Sequence, residues 1–254
     1  MVRLFPLQFT KAELDQIPAH HRIAFLGLGQ VANETSILMR LSLGAIGSMR
    51  PPQPVSDMAN ATAMFALRML AGRIWEARLF LNSAEVATAF REVCDLALRV
   101  DQRTQAEIDQ ATAGRAELFR QLDGPNIIRP LRNRASFHTE VALLTESYDA
   151  LPEAINFVDH LDSSRGNSVY GASETLHLTA LSALLKEPNY EVALVTAATE
   201  ISEAVGKLGD FIDGFMVAFV IGHFGPERMR GARIEVPAVP LDELTIPLFF
   251  THAE

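Results

Sequence analysis

The stretch that decides the fold is AHHRIAFLGLGQVANETSILMRLSLGAI, which spans residues 19–46. Its apolar side chains recur at roughly helical spacing, close to the three- and four-residue intervals of one helix face. They are Ile23, Leu26, Val31, Ile37, Leu38, Leu41 and Ile46. Such a helix buries its apolar stripe only against other elements, so the pattern predicts a long helix packed among other helices.

The same periodicity continues beyond this segment and predicts an all-α fold. Further helices are expected at 56–81, 84–100, 104–122, 127–148, 173–185 and 188–224, with a short one opened by Pro152. Prolines and glycines separate these helices by short loops, which favour antiparallel neighbours. We therefore predict an antiparallel helical bundle with extra helices and an extended C-terminal tail.

The length of the chain is compatible with one domain over residues 1–254. We expect its core at about 19–150, and additional helices and the tail at about 151–254. The tail contains prolines and short β-like runs at 233–236 and 244–250, so it is expected to lie extended over the bundle.

The composition excludes several classes of protein. The chain has 254 residues, a formal net charge of −9 and a single cysteine, Cys94. One thiol excludes an intrachain disulfide and a cysteine-rich zinc site, which fits a cytoplasmic protein. No apolar run is long enough for a signal peptide or a membrane span, so no membrane association is expected. The acidic charge argues against a protein that coats nucleic acid, although it is compatible with a local basic site.

Three small residues in the first long helix, Gly27, Gly29 and Ala32, match the G-x-G-x-x-A fingerprint of dinucleotide-binding proteins. That fingerprint functions between a strand and a helix in an alternating strand–helix–strand unit. No such alternation follows, because the next predicted element is again helical. We therefore interpret the small residues as positions where neighbouring helices approach closely, and an NAD(P)-dependent oxidoreductase is kept as a third alternative.

The segment with chemical content is RPLRNRASFHTE, residues 129–140. It places Arg132, Asn133 and His138 in the pattern R-N-x4-H. This pattern resembles the signature of the HEPN superfamily (higher eukaryotes and prokaryotes nucleotide-binding). The first long helix, with Glu34 among its polar residues, is similar to the first long helix of such proteins. The resemblance implies a helical bundle, often a homodimer, whose active members cleave RNA without a metal ion.

The residue types of this motif suit metal-free cleavage, in which the RNA 2′-hydroxyl attacks the adjacent phosphate. His138 can act as general acid or base near neutral pH. The Arg132 guanidinium can hold the phosphoryl oxygens with two hydrogen bonds, and Asn133 can orient the histidine or an oxygen. Arg129 and Arg134 would add positive potential and bind substrate phosphate.

Helical geometry sets a condition on this site. In an ideal α-helix, Arg132 and His138 lie about 120° apart around the axis, with a rise of about 9 Å, and so do not share a face. Either the helix is irregular near Pro130, or two motifs meet across the two-fold axis of a homodimer. Glu34 is a candidate supporting partner of the motif, and a polar residue at a helix interface is the alternative.

The leading hypothesis is therefore an HEPN-like metal-independent endoribonuclease, or an RNA- or nucleotide-binding protein, in a toxin or defence setting with an antitoxin partner. The alternative is a non-catalytic helical scaffold or binding protein, in which Arg132 and Asn133 cap or solvate a helix and His138 is a buried, hydrogen-bonded histidine.

No metal site and no cofactor are expected from the remaining polar residues. His20 and His21 have no second ligand group at metal spacing in the sequence. Glu203, Asp210 and Asp213 fall roughly on one helix without an accompanying E-x-x-H pair, which argues against a di-iron bundle site.

Overall fold

The computed structural model describes residues 1–136, 140–163, 165–231, 233–240 and 243–249. Over these ranges the protein is all-α, as predicted, and consistent with a helical bundle. The helices are α1 (Lys11–Asp15), α2 (Ala19–Gly47), α3 (Gln53–Leu81), α4 (Ala84–Val100), α5 (Gln105–Asp123), α6 (Ile128–Leu131), α7 (Val141–Asp149), α8 (Gly171–Leu185) and α9 (Tyr190–Phe224). A π-helical turn, Arg132–Ser136, follows α6.

The strands of the described ranges are short and form antiparallel pairs. β1 (Val2–Leu4) pairs with β4 (Ile234–Val236), with Val2 opposite Val236. β2 (Asp159–His160) pairs with β3 (Val169–Tyr170). These residues therefore contain no parallel sheet. The predicted β-like run at 233–236 forms β4, whereas the described residues of 244–250 form no strand.

The chain folds into two compact units, each built from discontinuous segments. The first unit comprises the described residues of Met1–Thr35, Ile74–Gly124 and Glu203–Val239. The second comprises those of Ser36–Arg73, Pro125–Ser202 and the tail from Pro240. The division falls within α2, α3 and α9, so each of these helices contributes residues to both units.

Aromatic side chains of α9 form the centre of the first unit. Phe211, Phe215 and Phe219 are fully buried and lie four residues apart, on one face of the helix. Phe25 of α2 stacks on Phe219 with ring centroids 4.1 Å apart, and Phe90 of α4 contacts Phe211 at 5.0 Å. Each buried ring contributes about 1.5 to 3 kcal/mol, so these contacts hold α2 and α4 against α9. Even so, none of the described helices has an apolar stretch long enough to span a bilayer.

The short helix α6 lies in the core of the second unit. Ile128 and Leu131 are buried on this helix. The Ile127 backbone N–H donates to Oε1 of Glu200 in α9 at 2.7 Å, which satisfies one of the N–H groups left open where a helix begins. The position of α6 is therefore fixed by both packing and hydrogen bonding.

Strong local signals set the helix boundaries that agree with the prediction. α4 covers the predicted 84–100, because Ser83 caps it by accepting a hydrogen bond from the Val86 backbone N–H at 3.3 Å. α2 ends at Gly47, one residue beyond the predicted range 19–46.

Prolines account for two predictions that were wrong. α3 begins at Gln53 and not after a cap at Ser56 or Asp57. The first turn of a helix tolerates Pro54, because its missing N–H would have no partner there. Pro152 opens a single turn, closed by a hydrogen bond from the Ile155 N–H to the Pro152 carbonyl at 3.0 Å, and no helix follows.

The single helix predicted over 127–148 is also interrupted. α6 ends at Leu131, the π-helical turn follows, and α7 begins at Val141. Pro130 is the third residue of α6 and so lies in its first turn, where the backbone N–H has no intrahelical partner and a proline is tolerated. The interruption therefore falls within the segment that carries the R-N-x4-H motif.

Candidate functional site

The R-N part of the motif begins where α6 ends. The side-chain oxygen of Asn126, two residues before α6, accepts a hydrogen bond from the Arg129 backbone N–H in the first turn of that helix at 3.0 Å. After this one-turn helix, Arg132–Ser136 adopts the π-helical turn, in which each hydrogen bond spans five residues. Single π turns within helices are frequent at functional sites. The helix is thus irregular near Pro130, which is compatible both with a site formed within one chain and with a site shared across a homodimer.

Arg132 and Asn133 begin this turn and contact each other. Nη1 of Arg132 donates a hydrogen bond to Oδ1 of Asn133 at 3.1 Å. Arg132 is half-buried, while Asn133 is exposed. A guanidinium restrained by a neighbouring amide loses less conformational freedom on binding, and its fork geometry suits a phosphate or a carboxylate.

The two flanking arginines have different surroundings. Arg134 donates from Nε to Oε2 of Glu140 at 2.6 Å and from Nη2 to Oε2 of Glu146 at 3.3 Å. Hydrogen bonding to Glu140 raises the pKa of Arg134, and Glu146 adds to this effect. The two carboxylates therefore compensate the charge of Arg134 and connect the π-helical turn to α7. Arg129 is exposed on α6.

Two further predicted site residues do not add to this geometry. His138, the last residue of the motif, lies outside the described residues. Glu34 lies on α2 and accepts a hydrogen bond from Nε2 of Gln30 at 2.8 Å, one turn earlier in the same helix. The predicted residues that the structure brings together are therefore Arg132 and Asn133, with Arg134 on the same turn.

The glycine-rich segment is a packing feature. Gly27, Gly29 and Ala32 all lie inside α2, so the strand that a dinucleotide fingerprint requires before its glycines is replaced by helix. A Cβ added at Gly27 would lie 2.5 Å from Cζ of Phe80 in α3. The small residue therefore lets α2 and α3 approach closely, as predicted.

A polar cluster that was not predicted from the sequence lies in the second unit. It is formed by Arg68 of α3 with Glu174 and His177 of α8, and it is here called the α8 cluster. Glu174 and His177 lie one helical turn apart, in E-x-x-H spacing. Burial raises the pKa of Glu174, and the charge of Arg68 opposes that rise. Burial, followed by the charge of Arg68, lowers the pKa of His177 to about 4. His177 is therefore neutral at pH 7.

The first unit holds a second cluster, formed by His20 and His21 in the first turn of α2 and Glu92 of α4, here called the imidazole–carboxylate cluster. Nε2 of His20 lies 2.8 Å from Oε2 of Glu92, and Nε2 of His21 lies 2.9 Å from the same oxygen. The three ligand atoms are all within 4.8 Å of one another. These contacts with His20, followed by those with His21, lower the pKa of Glu92.

The statement that His20 and His21 lack a further ligand group is therefore wrong for the folded chain. Glu92 is separated from them by more than 70 residues, and only the packing of α4 on α2 brings it close. His223 of α9 also joins this region, because its Nε2 lies 3.1 Å from Nδ1 of His21. Burial, followed by the charge of His21, lowers the pKa of His223 to about 4.

Comparisons with protein-family models, with curated proteins and with solved structures each find no significant match. The fold and the candidate sites define an all-α protein with an arginine–asparagine pair on a π-helical turn in one unit. The other unit carries converging imidazole and carboxylate groups.

Proposed function

We propose that the protein binds RNA at the π-helical turn and cleaves it without a metal ion. The observation that carries this proposal is the Arg132–Asn133 pair, a half-buried guanidinium held by the neighbouring amide on an irregular helical turn. The pair also belongs to the segment that resembles the R-N-x4-H signature of HEPN ribonucleases. Under this proposal, His138 supplies the acid–base chemistry.

The proposed reaction uses a nucleophile that RNA itself provides. The 2′-hydroxyl attacks the adjacent phosphorus, and His138 accepts its proton. The bond from phosphorus to the 5′ oxygen breaks, and that oxygen takes up a proton from an acid or from water. Arg132 compensates the negative charge that builds on the phosphoryl oxygens. The products are a 2′,3′-cyclic phosphate and a 5′-hydroxyl, which account for every atom and need no oxidant or co-reactant.

Because of the charges around the π-helical turn, we expect the protein to contact only a few RNA phosphates. The chain carries a net charge of −9, and Glu140 and Glu146 already compensate Arg134. Within this segment, the proposal assigns phosphate binding to Arg132, which begins the π-helical turn, and to Arg129 on α6. For single-stranded RNA, each phosphate neutralised adds about 0.7 to the slope of log affinity against log salt, so we expect a total slope of about 1 to 2.

Cleavage of RNA in the presence of excess chelator tests this proposal. His138→Ala is expected to lower the rate by about 100-fold or more, because a general acid–base group contributes at least that much. Arg132→Ala is expected to lower it by a similar factor. The matched control is His160→Ala, which removes another histidine of the second unit that bonds Asp57 at 3.1 Å. Undiminished cleavage by His138→Ala, or cleavage that requires a metal ion, would contradict the proposal.

A homodimer with a shared site forms the second part of the proposal. If one protomer supplies Arg132 and its partner supplies His138, a mixed dimer of the two alanine variants retains one intact site. Random mixing of two inactive variants should then restore about a quarter of the wild-type activity. If both residues act within one chain, the mixture stays as inactive as its components, and light scattering of the wild-type protein shows independently whether it is a dimer.

The toxin or defence setting and the antitoxin partner rest on the HEPN resemblance alone. They imply that expression of the wild-type chain slows bacterial growth and that His138→Ala relieves this effect. The competing function, a non-catalytic RNA- or nucleotide-binding scaffold, gives a different pattern: Arg132→Ala weakens binding, while wild-type protein and His138→Ala both leave the RNA intact.

A further inference from the structure

The imidazole–carboxylate cluster has the geometry of an incomplete metal coordination sphere. Two imidazole Nε2 atoms converge on one carboxylate oxygen, at 2.8 and 2.9 Å. The ligands come from two helices, the first turn of α2 and the middle of α4, which the aromatic core of the first unit holds in place. The ligand atoms therefore sit on a rigid scaffold, which precise metal coordination requires.

A small divalent ion requires both the nitrogen–oxygen and the nitrogen–nitrogen separations of this cluster to change. Zinc binds imidazole nitrogen at about 2.0 to 2.1 Å and carboxylate oxygen at about 2.0 to 2.2 Å. In a tetrahedral site, such ligand atoms lie about 3.3 Å apart. Since Glu92 is 2.8 to 2.9 Å from each imidazole, an outward shift of about 0.5 Å makes room for the ion. The exposed Glu92 side chain has room to move outward, and the two imidazole nitrogens, which lie within 4.8 Å of each other, must reach a separation of about 3.3 Å.

Burial is graded across the cluster. The His21 side chain is 6% exposed, that of His20 is 35% exposed and that of Glu92 is 49% exposed. One side of the cluster therefore faces the protein and the other faces water. A metal held by these three groups would keep a fourth position open to solvent, as catalytic zinc sites with two histidines and one glutamate do.

His223 fixes the orientation of the most buried ligand. Its Nε2 lies 3.1 Å from Nδ1 of His21, so the opposite ring nitrogen of His21 is directed at Glu92. Histidines that bind metals commonly use their second ring nitrogen for such an outer hydrogen bond, which sets the tautomer and the ring angle. His223 thus provides the outer hydrogen bond that orients the metal ligand His21.

We propose that His20, His21 and Glu92 bind one divalent transition-metal ion of the zinc class, with water as the fourth ligand. Two nitrogen ligands and one carboxylate oxygen favour Zn²⁺ and related ions over Mg²⁺ or Ca²⁺, which take oxygen ligands. This site belongs to the first unit, and its existence does not depend on RNA cleavage at Arg132.

Calorimetric titration of the tag-free, chelator-treated full-length protein with Zn²⁺ tests the proposal, and Co²⁺ absorption reports coordination geometry. We expect one ion per chain in the wild-type protein. Glu92→Gln and His20→Gln are each expected to weaken binding by more than about tenfold, since even outer hydrogen-bond partners contribute that much. His160→Gln, which alters the histidine–carboxylate pair with Asp57, serves as the matched control and should bind as the wild type does.

Thermal unfolding provides the second readout. Zn²⁺ should raise the melting temperature of the wild-type protein and of His160→Gln, because an ion that binds only the folded state stabilises it. At the same Zn²⁺ concentration, the rise in melting temperature should be clearly smaller for Glu92→Gln, because its binding is weaker. If Glu92→Gln does not fold, the partly exposed His20→Gln decides the question. No binding by the wild type, equal binding by the wild type and the ligand variants, or equal weakening in His160→Gln would overturn the proposal and leave a hydrogen-bonded trio.

Discussion

Gly214→Ala tests the close approach of α5 and α9 in the first unit. A Cβ added at Gly214 would lie 2.4 Å from the carbonyl oxygen of Glu107 and 2.6 Å from the Cβ of Ala111. Both distances are far inside van der Waals contact, and a carbonyl within α5 cannot move without its helix. Gly209 lies on the same helix α9, but a Cβ added there would meet nothing within 4 Å. The two glycines therefore share the same helix, but only Gly209 has room for an added methyl group.

The two substitutions should change the free energy of unfolding in opposite directions. Alanine is favoured over glycine in a helix interior by about 0.8 to 1 kcal/mol, so Gly209→Ala is expected to stabilise the protein by about that amount. Gly214→Ala has the same gain, but overpacking costs about 1 to 3 kcal/mol. Because the clash is with backbone, we expect the upper end, which leaves a net loss of about 2 kcal/mol.

Urea unfolding at pH 7, followed by circular dichroism, measures both variants under identical conditions. Equal slopes against urea would show that the substitutions change stability and not the extent of unfolding. The expected difference between the variants is about 3 kcal/mol. If Gly214→Ala stabilised the protein as much as Gly209→Ala does, the inference that α5 packs closely against α9 at Gly214 would be wrong.

Three smaller predictions follow from individual contacts. Burial lowers the pKa of His177 to about 4 from 6.5, so the unfolded chain takes up a proton first and stability falls as the pH drops from 6.5 to 4. The wild-type protein should therefore lose free energy of unfolding between pH 7 and pH 5, and His177→Gln should lose about 1 kcal/mol less, a figure that allows for solvent screening. Urea unfolding at the two pH values measures this, and an equal loss in both proteins would contradict it. Ser83→Ala removes the oxygen that caps the Val86 N–H and should cost about 1 kcal/mol; an unchanged melting temperature would count against the cap. Glu140→Gln leaves Arg134 with one carboxylate fewer and should steepen the salt dependence of RNA binding by about 0.7, as measured by fluorescence anisotropy, whereas an unaltered slope would show that Arg134 stays away from phosphate.

The fold was accessible from the sequence where local signals dominate. α2 and α4 begin and end within one residue of their predicted positions. In α2 the helical spacing of apolar residues continues over many turns, and in α4 a serine caps the first turn. Prediction failed near Pro130, since propensity alone does not show whether a proline kinks a helix, ends it or is followed by a π-helical turn. The outcome depends on the burial of Ile128 and Leu131, which is a tertiary property.

The candidate sites differ in how much of them the sequence reveals. Arg132 and Asn133 are adjacent, so their contact follows from the sequence itself. The E-x-x-H spacing of Glu174 and His177 is also visible in the sequence, but it does not show that Arg68, more than 100 residues away, lies beside them. No local pattern joins His20 to Glu92, because more than 70 residues separate them and the helix packing alone makes them neighbours.

Charge decides which of the two histidine–glutamate clusters suits a cation. Judged by residue type alone, the E-x-x-H pair of Glu174 and His177 is as good a metal site as the imidazole–carboxylate cluster. The guanidinium of Arg68 lies close enough to act electrostatically on both Glu174 and His177. A divalent ion there would have to overcome repulsion from a fixed positive charge in partly buried surroundings, where charges interact strongly. In the imidazole–carboxylate cluster, the carboxylate is the group on which both imidazoles converge, so a cation placed among them is attracted to the centre of the site. The α8 cluster is accordingly a poor site for a cation, whereas the imidazole–carboxylate cluster suits a metal ion.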